Sequence, residues 1–491
     1  METDKNLPQD DGNGQETAPK AAEAIAALQG FRQNLYNFLP HRADAVMELI
    51  DALSSNTRAR SVVELSLRPL FRREYSSVYD AIERFFAPSA PEKAAQERRS
   101  LEQGMLRLIA PYLPAPQQRK YWLFGTDVTY LRRQFARTLA DRTFVHCPNA
   151  IAGNTPVTIG HDYSILSYLP EKASADAPPW VAPLIVRRVQ SGEKAAQVGA
   201  EQIAAVAADE TLPFKGELSV TVEDSAYSGR EHLASVAAHP HLVAIIRFPG
   251  NRVVYRQFEP PAGESNPVGH PTWYGDRFDL KDRDTWPEPD ETAVTALVTK
   301  KGKTYSVLLQ GWHNMVCPGK RGLPMHEHPA TLVRCRVLAG DGNPVFKHDL
   351  WLFAIGERRR ELSLLDIWEA YSQRYDVEHF HRFGKQRLLM AAFQTPDVVH
   401  EENWWWIVQL AYLQLWLARS LVEAIPNPWE RYLPQPEAGE ASPAAVQRDF
   451  ERIIREIGTP ARLPKPRNNP PGRAKGDKPP SRPRQPVIKK G

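Results

Sequence analysis

Three acidic residues stand where they could do chemistry together. Asp127 ends the run Tyr121-Trp-Leu-Phe-Gly-Thr-Asp127, Asp224 follows the run Glu217 to Val222, and Glu378 lies in a stretch of helical periodicity. Carboxylates at strand ends and on a neighbouring helix can meet at one spot although far apart in sequence. Three of them in a small site cannot all stay ionised without a compensating cation. Their hard oxygen donors, with room left for phosphate, favour Mg²⁺ or Mn²⁺. Two such ions about 3.5–4 Å apart would activate a water or a 3′-hydroxyl and stabilise the leaving oxygen in phosphodiester transfer. Taken singly, each acid is read more simply as a surface or capping residue.

The surroundings of Glu378 weigh between these readings. Tyr371, Arg374, Glu378 and Lys385 follow one another at steps of 3, 4 and 7 residues. On a regular α-helix these offsets fall within about 60° of one another, on one face. A carboxylate set among two cations and a phenol can bind a metal through the acid and phosphate oxygens through the rest. The competing reading is an amphipathic helix in which Arg374 and Glu378 form an i,i+4 ion pair.

The segment Tyr371-Ser-Gln-Arg374-Tyr-Asp-Val-Glu378-His-Phe-His-Arg-Phe-Gly-Lys385 resembles the Y-R-E-K signature of bacterial insertion-sequence transposases with an Asp-Asp-Glu triad. Within them it is most similar to the insertion-sequence-four-like branch and its seven-hundred-and-one-like neighbours. Phe124-Gly-Thr-Asp127-Val-Thr resembles the strand that bears the family's first aspartate, and Val222-Glu-Asp224-Ser-Ala-Tyr the strand of its second. The resemblance covers about residues 30–430. It implies an α/β, ribonuclease-H-like catalytic core interrupted by a β-rich insertion and preceded by a helical N-terminal DNA-binding domain. It also implies Asp127, Asp224 and Glu378 as ligands of two Mg²⁺ (or Mn²⁺) ions, and Tyr371, Arg374 and Lys385 as contacts to phosphates near the transposon end. Many relatives have a small residue before the second aspartate where this chain has Glu223; Asp224 is the favoured ligand.

Hairpin-forming relatives stack a flipped base on a tryptophan of the insertion. Trp351, 20 residues before Tyr371, is the best positional match, with Trp312 and Trp286 as rivals and a buried strand tryptophan as the other reading. Such stacking is worth roughly 1–3 kcal/mol. The implied activity is cut-and-paste transposition: metal-dependent cleavage of transposon ends and strand transfer into target DNA. The implied assembly is a homodimer on double-stranded DNA in a synaptic complex, in the bacterial cytoplasm with the nucleoid. Two alternatives stay open, a catalytically idle transposase-derived DNA-binding protein and a ribonuclease-H-fold nuclease without strand transfer.

The elements that must position these residues follow from periodicity. Residues 1–23 read as a disordered leader and 24–118 as a helical domain rich in arginine (Arg58, Arg60, Arg68, Arg72, Arg73). From Tyr121, strands are expected at 121–127, 143–147 and 163–169, a helix at 193–209, a strand at 217–222, a helix at 229–238 and a strand at 241–248. That order describes an α/β layer fold over 119–248 and 350–430. Residues 249–349 read as an inserted β-rich subdomain with strands at 294–300, 305–310 and 332–338. A strand at 350–355 and a long helix from Leu362 to about Met390 follow, then an apolar helix from Trp404 to Ile425 packed on the core. Residues 434–491 read as a Pro/basic disordered tail.

Composition bounds the remaining possibilities. The chain has 491 residues, 42% hydrophobic and 24% charged, which excludes wholesale disorder and predicts two to four domains. Three cysteines exclude a disulfide scaffold and suit a reducing compartment. No signal-peptide pattern is expected in Met1 to Lys20, and the apolar run Trp404 to Ala418, broken by Gln409 and Gln414, is too short for a membrane span. Net charge is only +4, yet Ala461 to Gly491 holds ten Lys/Arg against Asp477, a balance that suits a polyanion such as DNA backbone. Cys317, His326, His328 and Cys335 have zinc-ligand types at irregular spacing, and His379 and His381 flank Glu378.

Overall fold

The computed structural model describes residues 14–147, 156–174, 176–258, 273–299, 302–424, 439–466, 474, 476–478 and 481–489. The first part of the expected leader (1–13) and parts of the expected tail (434–438, 467–473, 475, 479–480 and 490–491) lie outside these. In chain order come α1 (Gly14–Phe38), α2 (Ala43–Ser54), α3 (Ser76–Phe85), α4 (Ala94–Ile109), β1 (Trp122–Arg132), β2 (Thr143–His146), β3 (Val157–Tyr168) and β4 (Ala182–Val189). Next are α5 (Ala195–Ala208), β5 (Ser219–Glu223), α6 (Arg230–Ala237), β6 (Leu242–Arg247), β7 (Val253–Gln257) and β8 (Tyr274–Asp279). They are followed by β9 (Glu291–Val298), β10 (Thr304–Val316), β11 (Ala330–Leu338), β12 (Leu350–Ile355), α7 (Leu364–Gln373) and α8 (Tyr375–Arg387). The order ends with α9 (Val398–Leu417), α10 (Leu421–Ala424) and α11 (Pro443–Ile457). Two compact units result: Met1–Ala87 with Phe383–Phe393 and Val399–Pro479, and Pro88–Arg382 with Gln394–Val398 and Pro480–Gly491.

The second unit is built on one mixed twelve-stranded sheet, in the order β2-β3-β1-β5-β6-β12-β11-β10-β7-β8, with β4 on β3 and β9 on β10. β1, β3 and β4 pair antiparallel, whereas β5 and β6 run parallel to β1 and are joined by α6. Three antiparallel strands followed by two parallel ones with crossover helices make a ribonuclease-H-like α/β core. β12 pairs antiparallel with β6, and the β-rich stretch β7–β11 continues the same sheet beyond it. The insertion is therefore an extension of the core sheet. Helix α4, expected in the N-terminal helical domain, belongs to this unit: Glu102 of α4 pairs with Arg187 of β4 at 2.6 Å, and Arg107 with Asp209 at 2.8 Å.

Segment 481–489 also belongs to the second unit. Ile488 bridges Thr143 of β2, its N–H donates to Arg142 O at 2.8 Å, and Arg142 Nη2 donates to Gln485 O at 2.9 Å. This part of the expected disordered tail is thus bonded along the edge of the sheet.

The first unit is helical, and it draws on both ends of the chain. α1 begins at Gly14, inside the expected leader, and α11 occupies the expected tail. α11 buries Val446, Phe450, Ile453 and Ile454 at steps of 4, 3 and 1, one face of a helix, between Ser442 at its start and Gly458 at its end. The apolar helix α9 falls in this unit and not with the sheet. Its few polar residues explain the choice. Asn403 Nδ2 donates to Ile82 O and Phe86 O at the end of α3, both at 2.8 Å, satisfying carbonyls a helix end leaves open. Gln414 accepts from Arg32 Nη1 at 2.8 Å and donates to Ser54 Oγ at 2.7 Å, while Arg32 forks onto both oxygens of Asp51 at 2.5 and 2.9 Å. Part of the arginine excess is likewise structural: Arg72 and Arg73 pair with buried Glu48 at 2.8 and 3.3 Å, and Arg68 with Glu451 at 3.8 Å. Among the described residues, no helix is long and apolar enough to cross a membrane.

One contact sets where the helix after the sheet lies on it. A β-carbon at Gly125 of β1 would come within 2.8 Å of Val377 Cγ2 and 3.0 Å of Leu169 Cδ1, so only glycine lets α8 approach so closely. Gly125→Ala should therefore cost about 1–3 kcal/mol, whereas Gly192→Ala, in open space, should leave stability unchanged; thermal melts that coincide for both variants would overturn this. Asp51→Ala leaves Arg32 buried without its carboxylate and should destabilise the helical unit by about 3–5 kcal/mol in urea unfolding.

Candidate active site

β1 and β5 are hydrogen-bonded neighbours in register from Trp122↔Ser219 to Gly125↔Val222. Two residues further along each strand stand Asp127 and Asp224, so the parallel pairing sets the two aspartates level at the carboxyl end of β5, where open α/β sheets place their ligands. β1 runs on to Arg132 because β3 continues to pair with it, so Asp127 is inside its strand and not at the end expected from sequence. β5 stops at Glu223, and Asp224 starts a short turn, its Oδ1 accepting from Ala226 N–H at 2.8 Å.

The neighbouring acid is committed elsewhere. Glu223 is fully buried and accepts from Thr221 Oγ1 at 3.0 Å and from His232 Nε2 at 2.5 Å. Burial pulls the His232 imidazole toward neutrality, but the charge of Glu223 and its hydrogen bond outweigh this and raise it above its ordinary value. A protonated His232 can donate through both nitrogens, the second to Ala196 O at 3.1 Å. Glu223 is therefore tied into the core, which leaves Asp224 as the acid beside Asp127.

The third acid arrives on a broken helix. In place of the expected continuous helix from Leu362 to Met390, α7 ends at Gln373 and α8 begins at Tyr375. Arg374 joins them through two tight bonds, its N–H to Tyr371 O at 3.1 Å and Val377 N–H to its own carbonyl at 3.0 Å. α7 starts at a Ser363–Asp366 capping box, and its far end is tied to the sheet by Gln373 Nε2 to Pro170 O at 2.6 Å. Lys172 pairs with Asp376 at 2.8 Å beside that tie. So placed, Arg374 Nη2 holds Glu378 Oε1 at 2.7 Å and Nη1 stands 4.0 Å from Asp127 Oδ2. Its guanidinium lies over the Tyr371 ring, 5.9 Å from the centroid.

Electrostatics tie the group together. Burial chiefly, helped by the charges of Asp224 and Glu378 and opposed by Arg374, brings the Asp127 carboxyl up to about 6. Burial works against the charge of Arg374, yet Asp127, Tyr371, Glu378 and Asp224 keep it above the ordinary guanidinium value. Tyr371 is raised, chiefly by burial. His381, 8% exposed, places Nδ1 3.6 Å from Asp127 Oδ2. It lies seven residues after Arg374 and three after Glu378, on the same helical face, which is the signal in the sequence for its place here.

All three acids are hard oxygen donors, and their chemistry suits a divalent cation. Their arrangement is looser than expected. Among the described residues, no three His, Cys, Asp or Glu side chains are gathered tightly enough to hold a metal ion, and the cation among the acids is Arg374. Lys385 lies seven residues beyond Glu378 on α8, within the first unit. Trp351 is not brought to this group. It is 4% exposed, in an aromatic cluster with Trp286, Phe278 and Trp312 at 5.2, 5.9 and 5.9 Å, and a base could stack on it only by opening that cluster. Cys317 and Cys335 are buried free thiols raised by burial, and His326 stacks on Trp273 at 4.1 Å; they form no metal site with His328.

A family model described as DDE superfamily endonuclease matches residues 34–310, more than half of the chain; the span takes in Asp127 and Asp224 and stops short of Glu378. No match was found among curated proteins. The breadth of the family match, over strands that set two aspartates side by side, decides the assignment: this chain belongs to the DDE superfamily endonucleases.

Proposed function

We propose that the protein is a DNA transposase of the Y-R-E-K type, which cuts the ends of its element and joins them to target DNA. The observation that carries the reading is the level pairing of Asp127 and Asp224, with Glu378 held nearby by Arg374. Asp127, Asp224 and Glu378 are the residues that would hold Mg²⁺ or Mn²⁺, two ions per site. Bound there, a divalent ion supplies Lewis acidity and a water or 3′-hydroxyl of lowered pKa. The chain's own residues do the rest. Asp127 must release its proton for its carboxylate to serve as a ligand. Arg374 holds Glu378 in place and offers a guanidinium, over the Tyr371 ring, to a phosphate; the spacing of the motif makes Lys385 a further phosphate contact. His381 stands beside the Asp127 carboxylate at 3.6 Å. Exposed Arg58 and Arg60 of the helical unit suit recognition of the element's ends, on a synaptic homodimer.

Glu378→Gln should abolish Mg²⁺-dependent cleavage of a plasmid carrying the gene's flanking DNA while leaving duplex binding within about twofold, since one ligand carries most of the chemistry and little of the affinity. Cleavage without joined products would favour the nuclease without strand transfer, and undiminished cleavage by the variant would end the assignment.

The burial of Asp127 has a consequence for stability. An unfolded aspartate ionises near pH 4, whereas Asp127 in the folded protein does so at about 6. Between these values the native state binds more protons, so its stability falls as pH rises through that window. Without divalent ions, Asp127→Asn should melt above the wild type at pH 8, and the gap should close by about pH 4; a gap constant across pH would contradict the burial of this charge.

A further inference from the structure

We propose that a cleft in the β-rich extension is a second phosphate-binding surface, where Arg359 and Arg360 hold the backbone of duplex DNA outside the group of catalytic acids. The inference rests on the endonuclease reading, since DNA is the polyphosphate such an enzyme must grip. The cleft has a volume of about 830 Å³, and Arg256, Tyr274, Asp290, His313, Asn314 and Arg360 line it.

Its cations are not equally placed. Arg256 forks onto both oxygens of Asp290 at 2.6 and 3.1 Å, and Arg358 onto both oxygens of Glu361 at 2.6 and 2.7 Å. Arg359 and Arg360, adjacent on the 3-10 turn Glu357–Glu361, pair with no carboxylate among the described residues. Arg359 donates only to Gly356 O at 3.2 Å and Asn314 Oδ1 at 3.3 Å, and its Nε is buried without an acceptor. Arg359 is pushed down by burial and then by the charge of Arg360, and His313 by burial and then by the same charge. Arg360 thus acts on both groups, although Asp290 and Glu291 push His313 the other way.

The backbone is shaped to the same end. β10 breaks register between Trp312 and Met315, and within that bulge Asn314 takes a left-handed φ of 52° that brings its side chain to Arg359. Exposed Arg360, held by no carboxylate among the described residues, offers N–H groups that match the oxygens of a phosphodiester, with Arg359 next to it in sequence. The turn leads directly into Ser363, the cap of α7, so a strand held here bears on the helix that ends at Tyr371 and Arg374.

The test is fluorescence anisotropy of a labelled duplex with the full-length protein in EDTA, across a range of salt concentrations. Arg360→Ala should weaken binding and reduce the slope of log K against log salt by about one unit, and Arg359→Ala/Arg360→Ala by about two. Arg358→Ala, whose partner is Glu361, should leave the slope unchanged. An unaltered slope for exposed Arg360→Ala, or no duplex binding by the wild type, overturns the proposal. Calorimetric binding of inorganic phosphate that Arg360→Ala abolishes, without a change in the DNA slope, would assign the cleft to free phosphate and also overturn it. Mg²⁺-dependent cleavage is measured separately: altered slopes without cleavage would sink the transposase reading alone, and cleavage with unaltered slopes would sink this proposal alone.

Discussion

A guanidinium placed among three carboxylates is the interaction on which the arrangement of this candidate site depends. Arg374 is bonded to Glu378 and near Asp127, and it balances part of a negative charge that burial makes costly. Without it, two aspartates level on adjacent strands and a glutamate on the overlying helix would repel one another, and protons would be their simplest relief. With it, the Asp127 carboxyl is pulled back down against the push of burial and of the other two acids. Arg374 thus offsets part of the repulsion among the acids and holds Glu378 beside the strands.

That arrangement depends on backbone geometry more than on the acids themselves. Parallel pairing of β1 with β5 fixes the level of the two aspartates, and a glycine on β1 decides how near α8 can come. The break between α7 and α8 turns Arg374 toward the strands, and the ties from Gln373 to Pro170 and Lys172 to Asp376 hold the break in place. Glu223 plays the opposite part: a buried ion pair with His232 anchors the end of β5, and the next residue is delivered to the site.

The sequence carried the residue types well and the architecture less well. Periodicity located β1, β5, β6 and β12, because buried strands are short apolar runs between turn signals, whereas the single helix it places around Glu378 is broken at Arg374. β4 was missed, since Pro183 and the prolines before it read as loop although Leu184 to Val186 are buried strand residues. α11 was hidden by the composition of its surroundings, although Ser442-Pro443 and Gly458 punctuate an amphipathic stretch. Neither proline nor glycine announces the break at Arg374, which follows from ties distant in sequence. α9 is apolar on every side and so says nothing about its partner; Asn403 and Gln414 answer that only once α2 and α3 are in view.

The bonding of residues 481–489 along β2 bears on how copies of this protein can meet. An exposed strand margin invites another sheet to zip onto it through main-chain groups. Here that margin is already taken by the chain's own downstream segment, whose amides at Gln485 and Ile488 face Arg137 and Arg142. Self-association through this border would require peeling the segment away first. Copies that come together with it in place must do so away from this border.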